Sequence, residues 1–173
     1  GKRRTIIVHA LKKLANGKVA TETPTTMLPE AIETEEELVT SLNAQYARIY
    51  VLDHNKPSDA EVDNFVLLIK HKVKDNEWLH FHCRGGSGRA STFMTMYDII
   101  RNAKNTPFEI IIQRQAEQGN KKLDQIPDAD NSWKSEMSHE RFEFVRKFYA
   151  YVSDPQGYKV RSWSSWQNLQ QNK

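Results

Sequence analysis

Cys83 and Arg89, six positions apart on a glycine-rich run, are the residues best placed to do chemistry. The run is His82-Cys83-Arg84-Gly85-Gly86-Ser87-Gly88-Arg89. Three glycines in four positions let the backbone curl until its N–H groups point to one centre. A helix opening at the same turn would add the positive end of its dipole. Such a cradle suits phosphate or another tetrahedral oxyanion. Cys83 stands at its start, where the N–H groups, the dipole and Arg89 favour thiolate. The planar fork of Arg89 can hold two oxygens of a bound phosphate. No Gly-Lys-Ser/Thr ending follows, so this is not a Walker loop. A cysteine ending a strand is more often an inert buried residue, and glycines alone mark many ordinary turns. The combination selects the phosphate loop.

A thiolate attacking phosphorus needs a proton donor for the departing oxygen. Asp53 is the candidate, in a loop after an apolar run thirty residues before Cys83. Taken alone, an Asp there more often caps a turn. His80 and His82 alternate with Leu79 and Phe81, which puts both on one sheet face. With Cys83 they lack a third and fourth partner for a metal site. No metal and no cofactor are therefore expected; His82 is assigned a supporting role around the cysteine loop and His80 a structural one.

The elements that must position these residues follow from periodicity and breakers. Thr5 to Val8 predicts a strand, Leu11 to Pro29 mostly loop, and Glu33 to Leu42 a helix with acids in its first turn. Tyr46 to Leu52 and Trp78 to His82 predict strands. Ser58 and Glu61 form a capping box, and Val62, Phe65, Val66, Ile69 and Val73 follow at helical spacing. Ala90 to Ala103 predicts a helix with Phe93, Met96, Tyr97 and Ile100 inward. Thr106-Pro107 reads as N-cap and N1 of a helix that Gly119 could end. Ser138 could cap a last helix with Phe142, Val145, Phe148, Tyr149 and Val152 on one side. Tyr158 to Lys173 reads as an irregular tail pinned by Trp163 and Trp166.

Strands alternating with helices predict an α/β fold with a mostly parallel central sheet flanked by helices. Ligands then lie beyond the carboxyl ends of the strands, which is where Asp53 and Cys83 fall. One domain is expected over residues 1–157, with the tail over 158–173. The 173 residues suit a single domain. No apolar run approaches the ~20 residues a membrane helix needs. A single cysteine excludes an internal disulfide framework. A net charge of +3 marks no nucleic-acid partner, and none is expected. The chain opens Gly1-Lys2-Arg3-Arg4, without Met or an apolar leader, and reads as a fragment of a longer or processed protein.

The segment HCRGGSGR matches the Cys-x5-Arg loop of the cysteine-dependent protein-tyrosine-phosphatase superfamily. Its flank WLHFHCRGGSGRASTFMTMYDII, the upstream RIYVLDHNKPSDAEVDNFV and the downstream IIQRQAEQGNKKL and SWKSEMSHERFEFVRKFYAYV resemble the bacterial protein-tyrosine-phosphatase-like phytases, or inositol polyphosphatases. The likeness runs from about Tyr46 to Val152. It implies a protein-tyrosine-phosphatase-like fold and hydrolysis of inositol polyphosphates through a phosphocysteine. It makes Cys83 the nucleophile, Arg89 the phosphate clamp and Asp53 the general acid. His54 and Lys134 become substrate contacts, joined by the loop residues Arg84, Gly85, Gly86, Ser87 and Gly88. Family members usually carry more N-terminal sequence and a small β-rich subdomain, so the chain is expected to lack part of that. The likeness also implies an enzyme that is secreted, periplasmic or delivered to a host cell.

One position departs from the family pattern. After the loop Arg the family normally carries Ser or Thr, whose hydroxyl steadies the thiolate. Here the residue is Ala90, and Ser91 lies about 100° further round a helix. The alternatives to an inositol polyphosphatase are a phosphotyrosine or phosphoinositide phosphatase, and a pseudophosphatase that holds phosphate without turning it over.

Overall fold

The computed structural model describes residues 5–16, 18–126 and 132–171. The opening Gly1 to Arg4 and the end of the C-terminal tail, 172–173, lie outside the described residues. The chain divides into two units, Gly1–Arg48 and Ile49–Lys173.

Among the described residues, the first unit holds four short strands and one helix. β1 (Ile6–Val8) pairs antiparallel with β4 (Thr25–Met27), and β2 (Leu11–Lys13) pairs antiparallel with β3 (Val19–Thr21). The region 11–29, expected to be mostly loop, thus carries three strands. α1 (Glu35–Ser41) starts from a Thr34–Glu37 capping box and keeps three glutamates in its first turn, where they oppose the dipole favourably.

The second unit is built on helices. α2 (Asp59–His71) opens on the expected Ser58–Glu61 capping box and buries Val62, Phe65, Val66 and Ile69. α3 (Gly88–Asn102) follows the cysteine loop directly, with Phe93, Met96 and Ile99 in the core and Tyr97 and Ile100 packed against it. α4 (Phe108–Glu117) begins one residue later than expected: Pro107 takes the N-cap position and Thr106 makes no cap. Gly119, at φ +86°, ends it in the left-handed region that glycine accepts without strain.

α5 (Ser132–Ser153) starts a turn and a half before Ser138. Ser138 is therefore an interior residue of this helix and not its cap. Val145 and Phe148 are buried, and Phe142, Tyr149 and Val152 pack against the core as expected. The segment after Tyr158 is not irregular either: α6 (Trp163–Gln171) forms there. Trp163 and Trp166 do pin it, both buried. Trp163 donates its indole N–H to Asp59 of α2 and Trp166 donates to Asp154, each at 2.7 Å. Burying two large rings with their single donors satisfied offsets the weak helix propensity of Trp-Ser-Ser-Trp.

Among the described residues, strand pairing is confined to the first unit. The parallel central sheet read from Tyr46 to Leu52 and Trp78 to His82 does not appear as a hydrogen-bonded ladder. What the sequence pattern captured was burial. Ile49, Val51, Leu79 and Phe81 pack against the core, while Tyr50, Leu52 and Trp78 are exposed. A period of two reports which face is covered and leaves backbone pairing open. Among the described residues no helix is long and apolar enough to cross a membrane.

Candidate active site

Cys83 ends the inward-alternating segment that carries Leu79 and Phe81, and α3 begins five residues on at Gly88. The turn between them is made possible by Gly86, at φ +62°. Gly88 has a different reason. A β-carbon there would collide with the Arg141 guanidinium, which lies directly against it. The turn thus curls under one arginine and leads into another.

Burial pushes the Cys83 thiol up, but backbone N–H groups of Ala90, Gly85, Ser87 and Gly86 together bring it below the ordinary thiol range. Donors of this kind favour the thiolate over the thiol. Ala90 takes part through its N–H, while its methyl is buried and offers no hydroxyl. Ser87, at the N-cap of α3, makes no side-chain capping bond. The Ser91 Oγ accepts the Lys121 N–H at 3.0 Å.

Arg89 reaches back to the loop before α2. Its Nη1 donates to the Val51 carbonyl at 3.1 Å, and its Nη2 pairs with Asp53 Oδ1 at 2.9 Å. The Asp53 loop is itself organised. Asn55 N–H donates to the Leu52 carbonyl, and Asn55 Nδ2 donates to the Asp53 carbonyl. His54 adopts φ +67°, uncommon for a residue with a β-carbon. Its carbonyl accepts from Arg141 Nη2 at 2.9 Å, which ties this turn to α5. The His54 ring meets Trp133 edge-on at 5.1 Å, and Lys134 Nζ lies 5.2 Å from the Trp133 ring.

These groups surround one cavity of about 460 Å³. Of the expected site residues, Asp53, His54, Cys83, Arg84, Gly85, Ser87, Gly88, Arg89 and Lys134 line it. Gly86 contributes its N–H to the sulfur. His82 is not among the lining residues; it stacks on His80 with ring centroids 5.6 Å apart, on the face opposite Phe81. Among the described residues no three His, Cys, Asp or Glu side chains gather as metal ligands.

Two cations in the cavity wall were not singled out from the sequence: Arg141 and Lys121. Arg141 is 4% exposed, and its Nε has no hydrogen-bond partner. Burial pushes its guanidinium down, with Asp53 nearby acting in the opposite sense. A buried charge short of partners is costly, and an anion in the cavity would supply what it lacks. The signal was present in α5. Ser138, Arg141, Val145 and Phe148 share one buried stripe at helical spacing, and an arginine does not belong on such a stripe without a task.

The arrangement gathers a cysteine whose thiol is lowered by loop N–H groups, two arginines and a carboxylate around one space. A family model described as PTP-like phytase, inositol hexakisphosphate, matches residues 3–101, more than half of the chain. A structure of the PTP-like myo-inositol phosphatase from Mitsuokella multacida in complex with myo-inositol-(1,3,4,5)-tetrakisphosphate is similar with TM-score 0.84 and 33% identity, over 95% of this chain and 28% of that one. A PTP-like phytase from Bdellovibrio bacteriovorus is similar with TM-score 0.73 and 40% identity, over 79% of this chain and 52% of that one. The effector protein hopD2 of Pseudomonas syringae pv. tomato is 32% identical over 136 residues, 78% of this chain. The chain spans only 29% of the length of that relative.

Proposed function

The chain belongs to the PTP-like phytase family, and we propose that its second unit is a metal-independent phosphomonoesterase acting on inositol polyphosphates through a phosphocysteine. The observation that carries this reading is one cavity lined by Cys83, Arg89, Arg141 and Asp53, in which loop N–H groups bring the Cys83 thiol down. The Cys83 thiolate attacks phosphorus. The P–S bond forms as the bond from phosphorus to the ring oxygen breaks, and Asp53 gives its proton to that oxygen. Asp53, now a carboxylate, takes a proton from water as the water oxygen attacks the phosphocysteine. The P–S bond breaks, the thiolate returns and inorganic phosphate leaves. Arg89, the loop N–H groups and Arg141 hold the equatorial oxygens through both steps. Arg84, His54 and Lys134 face further phosphates of the substrate. Lys56, another base near Asp53 in sequence, is not among the lining residues and is given no contact. The Pseudomonas relative is an effector protein by name, which supports delivery to a host cell as the localisation of this chain.

The test is phosphate release from inositol hexakisphosphate and from a phosphotyrosine peptide, side by side. Inositol hexakisphosphate is expected to give the higher kcat/KM. Its KM should rise with ionic strength more steeply than that of a simple aryl phosphate, because several exposed charges are screened together. A phosphotyrosine peptide with the higher kcat/KM would make this a phosphotyrosine phosphatase.

Ala90 sets a limit on the rate. Restoring a hydroxyl by Ala90→Ser gives the departing sulfur a hydrogen bond in phosphocysteine hydrolysis. A bond to a charged group contributes roughly 1.5–3 kcal/mol, so kcat is expected to rise about tenfold. Stopped-flow release of an aryl leaving group should show a burst followed by a slow phase, with the slow phase faster in the variant. An unchanged slow phase in a folded variant would mean the thiolate is already fully supported by the loop.

A further inference from the structure

A buried polar relay ends at the cavity wall, and catalysis as described makes no use of it. Asp98, buried in α3, accepts from Gln115 Nε2 at 2.7 Å, from Asn102 Nδ2 at 2.8 Å and from the Arg114 guanidinium. Gln115 passes this order on, its Oε1 accepting from Asn120 Nδ2 at 2.7 Å and its carbonyl from Asn120 N–H at 3.2 Å. The next residue is Lys121, whose N–H donates to the fully buried Ser91 Oγ at 3.0 Å. The turn after α4 is therefore fastened to α3 directly at Ser91 and through Gln115 at Asp98, and the residue so fixed is a lysine in the wall of the Cys83 cavity.

Lys121 has no carboxylate within ion-pair distance among the described residues. Burial pushes its ammonium down, and the neighbouring Arg141 pushes it further. Two cations crowded into one partly dry wall repel each other, and the Arg141 Nε beside them lacks an acceptor. Holding them there by a satisfied buried network is favourable when an anion sits between them. The Cys83 loop accounts for one phosphate. Arg141 lies against that loop at Gly88, and Lys121 is the further cation in the same wall.

We propose that Lys121 is a specificity-determining residue that holds a second phosphate of the substrate, next to the one in the Cys83 loop, and that Ser91 and Gln115 are its positioning residues. The inference rests on the polyphosphate reading above and adds the residue that would distinguish a polyphosphate from a lone phosphomonoester. It also gives Ser91 a purpose one position after Ala90: its Oγ anchors the Lys121 turn.

The experiment follows aryl phosphate turnover with inorganic phosphate and inositol hexakisphosphate as inhibitors. In the natural protein the hexakisphosphate should inhibit at the lower concentration. Lys121→Gln, which shortens and neutralises a rim side chain, should weaken hexakisphosphate inhibition about tenfold more than phosphate inhibition, the order expected for one charged hydrogen bond. Ser91→Ala should change the ratio of the two inhibition constants in the same direction by about threefold, a readout that loss of stability alone would not move. Equal changes for both inhibitors in Lys121→Gln, or none, would overturn the inference, as would a natural protein inhibited no better by hexakisphosphate than by phosphate. Hexakisphosphate that binds through Lys121 without releasing phosphate would uphold the subsite and overturn the phytase reading.

Discussion

Cys83→Ser is expected to remove turnover, by on the order of 10⁴–10⁶-fold, while inorganic phosphate still binds. The magnitude is that of deleting a covalent nucleophile from machinery that acts as a unit. Phosphate binding survives because the cradle consists of backbone N–H groups and arginine side chains, none of which depends on sulfur. The hydroxyl of serine is about the same shape as the thiol but holds its proton at neutral pH. Isothermal titration of the variant with phosphate, beside its rate on an aryl phosphate, measures both halves. Turnover within tenfold of the natural protein would overturn the phosphocysteine. A second readout tests the thiolate directly. Cys83 is the only cysteine in the chain, so alkylation reports on it alone. The loop N–H groups hold the thiol below its ordinary value. Alkylation should therefore be fast at pH values well under the usual ~8.5 of a free thiol and slow only as the pH falls through the lowered value. An alkylation profile centred on the free-thiol range would mean that burial wins over the N–H groups.

The cradle was legible in the sequence because its chemistry is local. A backbone path that turns N–H groups onto a sulfur is set by which consecutive residues lack a β-carbon, and Gly85, Gly86 and Gly88 declare it. Asp53 could be placed because the apolar run before it ends at the cavity. Arg141 and Lys121 were not legible in that way. Each reaches the cavity only through packing: Arg141 because α5 lies against Gly88, and Lys121 because a relay through Asp98 and Gln115 fastens its turn to α3. A charge on a helix reads as a solvated face until the stripe it shares is known to be buried.

The fold was less legible than the site for related reasons. The β2–β3 hairpin in the first unit has strands of only three residues, too short for an alternation of burial to mark them. Its signal was the Asn16-Gly17 dipeptide, which favours tight hairpin turns. Helix α6 was hidden by serines of weak propensity, and what stabilises it is contact with Asp59 and Asp154, distant in sequence. The two segments read as strands kept their inward residues but made no ladder, since apolar alternation reports burial first.

Asp53→Asn is expected to lower the rate about 10²–10⁴-fold on inositol hexakisphosphate, the usual weight of general acid catalysis. The loss should shrink with an aryl phosphate, whose leaving group needs little help. What makes this variant informative is the pairing of Asp53 Oδ1 with Arg89 at 2.9 Å and of Oδ2 with His54 Nε2 at 3.6 Å. A phosphate arriving at Arg89 must compete with that carboxylate. Substitution by Asn removes the competing charge along with the proton donor. The variant should therefore lose kcat while binding inorganic phosphate at least as tightly as the natural protein. A residue that only shaped the loop would behave differently. The carbonyl and N–H contacts of residues 52–55 would loosen, Arg89 and His54 would lose their positions, and phosphate affinity would fall together with the rate. Parallel measurement of kcat on the two substrates and of the phosphate inhibition constant separates these outcomes. A loss of equal size on both substrates, accompanied by weaker phosphate binding, would assign Asp53 to loop structure and leave the leaving oxygen to find its proton elsewhere.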